Sequence, residues 1–357
     1  MRRRIFDAGY ELVGRSGVIA SQAVVTAVCG GCGAKRGRIP RRLAAWLKSQ
    51  PERPLIDVAN SRVGGQSANE SSGSGETMIT VPALAAEALG SFLAADMNRR
   101  FGSSEARLTE LIPSVARLAL ECIGNSDALY HNVEHTMLVT LVGHDIMMGR
   151  ALLSPTPPSD YAHLIVACLM HDIGYVRGIL KGDGDDGYVT DVAGGKAQLP
   201  RGSSDAALKP YHVERSKLFV MDHVAAIDDL DAARVARAIE STRFPISVEA
   251  NDQESEEGTL LRAADLIGQL GDPHYLRKAN ALYYEFEEVG MNRQLGYASP
   301  ADLVDRYSQF YWKSVSPHVQ SAIRYLNVTS SGRQWVSNLY SNVFRAERDL
   351  TLFGPEQ

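Results

Sequence analysis

Apolar residues recur three and four positions apart along most of the chain after Pro82, which is the spacing of one face of an α-helix. Runs of β-branched residues with alternating polarity are nearly absent from the same region. The predicted helices span residues 83–101, 105–122, 131–148, 162–170, 211–227, 232–243, 259–270, 273–289, 300–315 and 317–344. The pattern therefore predicts an all-α fold, interrupted by two long polar loops at residues 180–210 and 245–258.

The N-terminal part of the sequence differs from the helical region in composition. Residues 58–77 are rich in Gly, Ser and Asn, which is typical of a flexible linker that cannot bury a core. We therefore predict a low-complexity tail and linker at residues 1–77 and one compact multi-helix domain at residues 78–350. The tail is basic, and a targeting segment is the alternative interpretation, but Asp7, Glu11 and Arg15 interrupt its apolar stretch.

The overall composition argues against two classes of partner and favours one cellular compartment. The 357 residues are 22% charged with a formal net charge of −5, which does not favour nucleic acid or a membrane surface as a partner. No stretch reaches the roughly 18 apolar residues that a membrane span needs. Four cysteines in a chain of this length fit a reducing compartment, so we predict a cytoplasmic protein. Its helical surface permits a homodimer without requiring one.

Two histidines lie four positions apart in the sequence YHNVEH at residues 130–135. If this segment is helical, His131 and His135 share a face and lie about 6 Å apart along the axis. Two imidazoles on one face suit a metal site, although two ordinary polar helix residues give the same pattern. The pair His144-Asp145 would lie on the opposite face of the same helix, so we interpret it as structural.

A histidine and two carboxylates emerge from apolar helical segments elsewhere. His171-Asp172 ends the apolar run 164–170, and Asp265 interrupts the apolar segment 260–267. Burying an unpaired carboxylate costs several kcal/mol, so a metal partner is the economical explanation. The acidic sequence DGDDG at 183–187 has some features of a calcium loop but lacks its glycine and glutamate positions, so we interpret it as a solvated loop.

The ordered set His135, His171-Asp172 and Asp265 resembles the HD superfamily of metal-dependent phosphohydrolases, which are all-helical enzymes. The resemblance implies that these four residues bind metal. Imidazole and carboxylate ligands without thiolate favour Mn²⁺, Mg²⁺, Fe or Zn²⁺. The adjacent His-Asp pair allows two ions, with Asp172 bridging to the second. In several HD branches a histidine on a later helix supports that second metal, and His212 is the matching candidate.

The YHNVEH sequence is also similar to the opening motif of the class I cyclic nucleotide phosphodiesterases. That resemblance implies that His131 is the general acid that protonates the leaving oxygen. The sequence SQFYW at 308–312 is similar to the region where that family holds the purine. Gln309 and Trp312 are therefore candidate substrate contacts, and Tyr130 and Asn132 of the opening motif are two more.

Two departures from the phosphodiesterase pattern keep other functions open. Tyr175 stands where those enzymes carry a histidine, and residues 241–243 read STR where they carry Thr-Asp-Met. The leading hypothesis is a 3',5'-cyclic nucleotide phosphodiesterase that acts on a small-molecule phosphate ester through a metal-activated hydroxide. The alternatives are an HD-type nucleotide phosphomonoesterase and a metal-bound regulatory module without turnover.

Overall fold

A computed structural model describes residues 79–245 and 255–353 of the protein. The predicted tail at residues 1–77 lies outside the described residues. Within the described residues the protein is all-α, as predicted, apart from one small hairpin of strands β1 (Tyr188–Val189) and β2 (Lys196–Ala197). The hairpin is antiparallel and pairs Tyr188 with Ala197.

The helices follow one another with short connections, except for the long segments 171–211, which contains the hairpin, and 241–255. In chain order they are α1 (Val81–Phe101), α2 (Ala106–Ile123), α3 (Val133–Leu153), α4 (Pro158–Met170), α5 (His212–His223), α6 (Ala232–Glu240), α7 (Glu256–Leu270), α8 (Tyr275–Glu288), α9 (Met291–Leu295), α10 (Pro300–Asp305), α11 (Tyr307–Phe310), α12 (Ser316–Leu326) and α13 (Ser330–Phe353). Short 3-10 turns lie at Gly102–Glu105, Ile173–Tyr175, Asp205–Leu208 and Val224–Ala226, and a π-helical turn lies at Tyr311–Val315.

Helix α3 is the centre of the core and packs against α4, α7 and α12. Every residue of α4 from Tyr161 to Met170 is buried, which explains the unbroken apolar run in that part of the sequence. Helices α3 and α7 approach so closely that a Cβ on Gly268 would lie 3.0 Å from the backbone of Val139. Within the described residues α3 alone is long and apolar enough to cross a membrane, but 61% of the qualifying window is buried inside the protein.

The start of α3 corrects one prediction. Asn132 is its N-cap, because Oδ1 of Asn132 accepts hydrogen bonds from the backbone N–H groups of Glu134 and His135 at 2.9 and 3.3 Å. His131 therefore precedes the helix, and the prediction that His131 and His135 share a helical face is wrong. Their rings nevertheless lie 5.4 Å apart between centroids, since the chain turns sharply at the cap.

The helix predicted over residues 300–315 is also interrupted. A capping box formed by Ser299 and Asp302 starts α10 at Pro300, but the helix ends at Asp305. The chain then forms the four-residue α11 and the π-helical turn Tyr311–Val315. A π-helical turn changes the direction in which side chains point, so the spacing of an ideal α-helix does not apply here.

Candidate metal centre

Four side chains from three helices converge on one point in the core. His135 lies in the first turn of α3, His171 and Asp172 follow the last residue of α4, and Asp265 lies in α7. His135 Nε2 is 3.3 Å from Asp172 Oδ2 and 3.2 Å from Asp265 Oδ1, and His171 Nε2 is 3.0 and 3.7 Å from the same two atoms. Ligand atoms about 2.1 Å from one ion and at right angles lie roughly 3.0 Å apart, so this spacing fits one coordination sphere.

Several atoms that face this point have no hydrogen-bond partner among the described residues. Nε2 of His135, Nε2 of His171 and Oδ2 of Asp172 are buried without a hydrogen bond. Buried polar atoms are normally hydrogen-bonded, and leaving one unsatisfied costs about 1–3 kcal/mol. Nδ1 of His171 donates to the carbonyl oxygen of Cys168 at 2.8 Å, so its Nε2 presents a lone pair to the centre. This donor set fits a divalent metal ion.

The charges around the centre favour a cation as well. Burial alone would lower the pKa of His135, but Asp172 and Asp265 outweigh it and raise this pKa to about 10. Burial likewise opposes ionisation of Asp172, but His171 and His135 hold its pKa well below the usual range. The carboxylates thus stay ionised, and they favour the protonated, positively charged form of the histidine at the point where the four side chains meet. A divalent cation can take the place of the protons that occupy this point.

His131 lies beside the cluster and is held by an acid from α8. Its Nδ1 is 2.5 Å from Oε2 of Glu285, and Oε1 of Glu285 accepts hydrogen bonds from the backbone N–H groups of Tyr130 and His131 at 2.6 and 3.1 Å. The His131 ring stacks on Tyr175, with 4.6 Å between centroids. Burial would raise the pKa of Glu285, but His131 and the two amide donors lower it. The ionised Glu285 therefore fixes the orientation of the imidazole.

Sequence reasoning did not find Glu285. It is 1% exposed and lies between the buried Leu282 and Phe286 on the apolar face of α8. An acid on the apolar face of an amphipathic helix is a signal that could have identified it.

His212 faces the other oxygen of Asp172. Its Nε2 is 3.8 Å from Asp172 Oδ1, and its Nδ1 donates to the carbonyl oxygen of Lys209 at 2.5 Å. Burial lowers the pKa of His212 to about 4, so the ring is neutral near pH 7 and can act as a ligand. Asp172 therefore offers Oδ2 to His135 and His171 and Oδ1 towards His212, as a carboxylate that bridges two ions would.

The segment that carries His171 is fixed by α5. Ser216 Oγ donates to the carbonyl oxygen of His171 at 2.7 Å and accepts from the N–H of Gly174 at 2.9 Å. A Cβ on Gly174 would lie 2.0 Å from the carbonyl oxygen of His212, so this close approach requires glycine. The contact holds the segment with His171 and Asp172 directly against α5.

Arg215, also on α5, is fully buried and joins this segment to the loop that follows it. Its guanidinium donates to the carbonyl oxygens of Gly174, Val176 and Val189 at 2.6–2.8 Å. It also pairs with both oxygens of Asp183, at 2.8 and 3.0 Å. The Asp183 side chain is 0% exposed, so the prediction that this acidic stretch is only a solvated loop is wrong at its first residue.

A cavity of about 480 Å³ opens beside the cluster. His131, Asp172, His212 and Asp265 lie in its wall, so the cluster is accessible to a ligand. The aromatic residues in the wall besides histidine are Tyr175, Phe244, Tyr275, Phe286, Tyr297, Tyr307 and Phe310, and the basic ones besides histidine are Lys209, Arg243, Arg262 and Lys313. The cavity therefore combines space for an aromatic ring system with positive charge.

The structure does not bring the predicted substrate contacts into this cavity. Gln309 and Trp312 are exposed and absent from its wall, and Trp312 Nε1 donates to Glu347 at 3.1 Å. Tyr130 and Asn132 are also absent from it. Asn132 caps α3 and donates to the carbonyl oxygen of Leu129, whereas Tyr130 is buried beside His135. The α11 and π-turn residues that do reach the cavity include Phe310 and Lys313.

The sequence profile of one family, described as Npun_R2479-like, matches residues 80–349, which is about three quarters of the chain. The chain belongs to the Npun_R2479-like family. The matched span contains every candidate site residue named above. No curated protein and no solved structure matches the chain significantly. The name of the Npun_R2479-like family states no activity, so the function is argued from the geometry.

Proposed function

We propose that the protein is a metal-dependent phosphohydrolase that acts on a nucleotide-sized phosphate ester, in the cytoplasm. The observation that carries the proposal is the convergence of His135, His171, Asp172 and Asp265 on one point beside the cavity, where Nε2 of both histidines and Oδ2 of Asp172 are buried without a hydrogen-bond partner among the described residues. The order of these residues is that of the HD phosphohydrolases. The described cysteines Cys122 and Cys168 are free and buried, which is compatible with a reducing compartment.

The four residues would hold Mn²⁺, Mg²⁺, Fe or Zn²⁺, and a second ion would lie between Asp172 and His212. The bound metal would lower the pKa of water and neutralise charge on the phosphoryl group. His131, oriented by Glu285, would donate a proton to the leaving oxygen of the ester. Arg215 and Ser216 keep the His171-Asp172 segment in place during this step.

Two substrate classes have separate support. The similarity of the sequence YHNVEH to the opening motif of the cyclic nucleotide phosphodiesterases favours a 3',5'-cyclic nucleotide as the leading substrate, and His131, held by Glu285, could protonate the alkoxide leaving group of a phosphodiester or of a phosphomonoester. The position of Gln309 outside the cavity removes the support for a purine contact there and leaves a nucleotide phosphomonoesterase as the second candidate.

The experiment is an assay of the purified protein with Mn²⁺ or Mg²⁺ against cAMP, cGMP, 5'-nucleotides, and generic phosphomonoesters and phosphodiesters, together with elemental analysis. Bound metal with cyclic-nucleotide turnover supports the first class, and bound metal with only monoester turnover supports the second. Bound metal without any turnover would contradict hydrolysis and favour a regulatory module.

A further inference from the structure

Lys209 places an ammonium group inside the cavity beside the metal centre. It lies between the 3-10 turn Asp205–Leu208 and α5, and it is only 8% exposed. Its backbone is fixed, because its N–H donates to Ala206 and its carbonyl oxygen accepts from His212. Its side chain lies in the cavity wall with His131, Asp172 and His212. Lysine is rarely buried to this degree unless it is paired.

The ammonium of Lys209 has no paired acid among the residues that the structure describes. Within the described residues its Nζ makes no ion pair or hydrogen bond, and it lies 6.0 Å from the ring centre of Phe244 and 5.3 Å from that of Phe286. Burial lowers the pKa of Lys209, and the more distant carboxylates of the site oppose this shift only in part. A buried ammonium without an acceptor is costly unless a ligand supplies one.

Of the other basic groups in the cavity wall, Arg243 and Arg262 are engaged by the protein, and Lys313 is exposed rather than buried. Arg243 pairs with Glu240 and Glu214 at 2.6 Å, and Nε of Arg262 donates to the carbonyl oxygen of Ser241 at 2.7 Å. Some of the hydrogen-bond donors of these two arginines are therefore already used by protein groups. Lys209 differs because its three N–H donors are available to a bound molecule.

We propose that Lys209 is a phosphate-binding residue, whose ammonium donates hydrogen bonds to an oxygen of the phosphoryl group beside the metal centre. The inference rests on the proposed function only in taking the anion to be the phosphate of a substrate or product. The ammonium lies over the rings of Phe244 and Phe286, so these rings favour its position in the cavity before the anion arrives.

The test is isothermal titration calorimetry with inorganic phosphate in the presence of Mn²⁺. We expect K209M and K209Q to weaken phosphate binding about tenfold, the effect of losing one hydrogen bond to a charged group. K181M is the matched control, since the Lys181 side chain is 89% exposed and outside the cavity, and it should bind phosphate like the unchanged protein. Affinity within twofold of the unchanged protein in both Lys209 variants, or no phosphate binding by the unchanged protein, would overturn the proposal.

A second measurement covers the case in which neither variant folds. Pyridoxal 5'-phosphate forms an imine with a lysine amine beside a phosphate site, and borohydride reduction fixes the label for peptide mapping. We expect label on Lys209 and protection of Lys209 by inorganic phosphate, and label that avoids Lys209 would contradict the proposal. Neither measurement needs turnover. Phosphate binding through Lys209 without hydrolysis of any ester would refute the proposed function alone, whereas hydrolysis with unchanged phosphate affinity in K209M would refute this inference alone.

Discussion

Two His-Asp pairs, His144-Asp145 and His171-Asp172, are alike in sequence and both buried, but their surroundings differ. In the first pair, Nδ1 of His144 lies 2.9 Å from the hydroxyl of Tyr161, and its Nε2 lies 3.0 Å from a carboxylate oxygen of Asp96. The two carboxylate oxygens of Asp145 accept hydrogen bonds from Ser331 at 2.6 Å and from Trp335 at 2.9 Å.

The second pair directs Nε2 of His171 and Oδ2 of Asp172 at a point where no hydrogen-bond partner lies. Burial costs both pairs the free energy of removal from water, but only in the first pair do contacts with other protein groups offset this cost. The comparison teaches that satisfied polar pairs join helices, whereas pairs with unsatisfied atoms facing a shared point mark a candidate ligand site.

Asp172→Asn should have the largest effect, because it removes the carboxylate that contacts both histidines and faces His212. We expect loss of bound metal and a fall in phosphohydrolase turnover of about a thousandfold or more, since a catalytic metal contributes several kcal/mol to the transition state. Elemental analysis and kinetics measure both quantities.

Asp145→Asn is the matched control in the other pair. It should keep its metal and most of its turnover but lower the free energy of unfolding by about 1–3 kcal/mol, because charged hydrogen bonds to Ser331 and Trp335 are weakened. Metal loss in the Asp145 variant, or full metal in the Asp172 variant, would break the comparison.

His131→Asn separates the proton donor from the metal ligands. We expect turnover of a phosphodiester to fall about a hundredfold while the metal content stays unchanged, because general acid catalysis contributes 10²–10⁴-fold. The measurement is steady-state kinetics on the metal-loaded variant. Equal turnover in the variant and the unchanged protein would contradict the assignment of His131 as the acid.

Arg215→Met tests a buried charge that the protein satisfies completely. The substitution leaves the Asp183 carboxylate buried and unpaired, so we expect a loss of about 3–5 kcal/mol in the free energy of unfolding. Urea denaturation measures it. The control is Arg117→Met, which breaks an exposed pair with Glu87 and should change stability little. Similar losses of unfolding free energy in the two variants would show that the buried contacts of Arg215 stabilise the fold no more than an exposed ion pair does.

The smallest effect is expected in the pH dependence of stability. Burial raises the pKa of Asp183, but hydrogen bonds from Arg215 and from backbone amides outweigh it and hold this pKa below its usual value. A carboxyl with a lowered folded-state pKa stabilises the fold above its unfolded pKa of about 3.9 and loses that contribution as pH falls through the folded value. As the pH is lowered from 6 to 3, the urea concentration at the midpoint of unfolding should therefore decrease more steeply for the unchanged protein than for Asp183→Asn. Parallel profiles would exclude Asp183 as a source of the acid sensitivity.

The helices and the approach of the four candidate ligands could be predicted because both depend on local patterns. Apolar periodicity located the helices, and polar residues at the ends or inside apolar runs located His171, Asp172 and Asp265. The partners of these residues could not be predicted in the same way. Glu285 meets His131 across 154 positions of sequence, and Arg215 meets Asp183 across 32, so only the tertiary fold brings them together.

Gln309 and Trp312 lie outside the cavity for a different reason. Residues three positions apart share one face only of a continuous α-helix. The chain instead leaves α11 and forms a π-helical turn, which directs Trp312 to Glu347 and brings Phe310 and Lys313 to the cavity. Local spacing predicts direction only while the helix type is constant.

The most direct test of the central claim is a crystal structure grown with Mn²⁺ and measured for anomalous scattering. The account predicts an anomalous peak about 2.0–2.3 Å from His135 Nε2, His171 Nε2, Asp172 Oδ2 and Asp265 Oδ1. A well-occupied peak elsewhere, or ordered side chains without a peak at this point, would contradict the claim that these four residues form a metal centre.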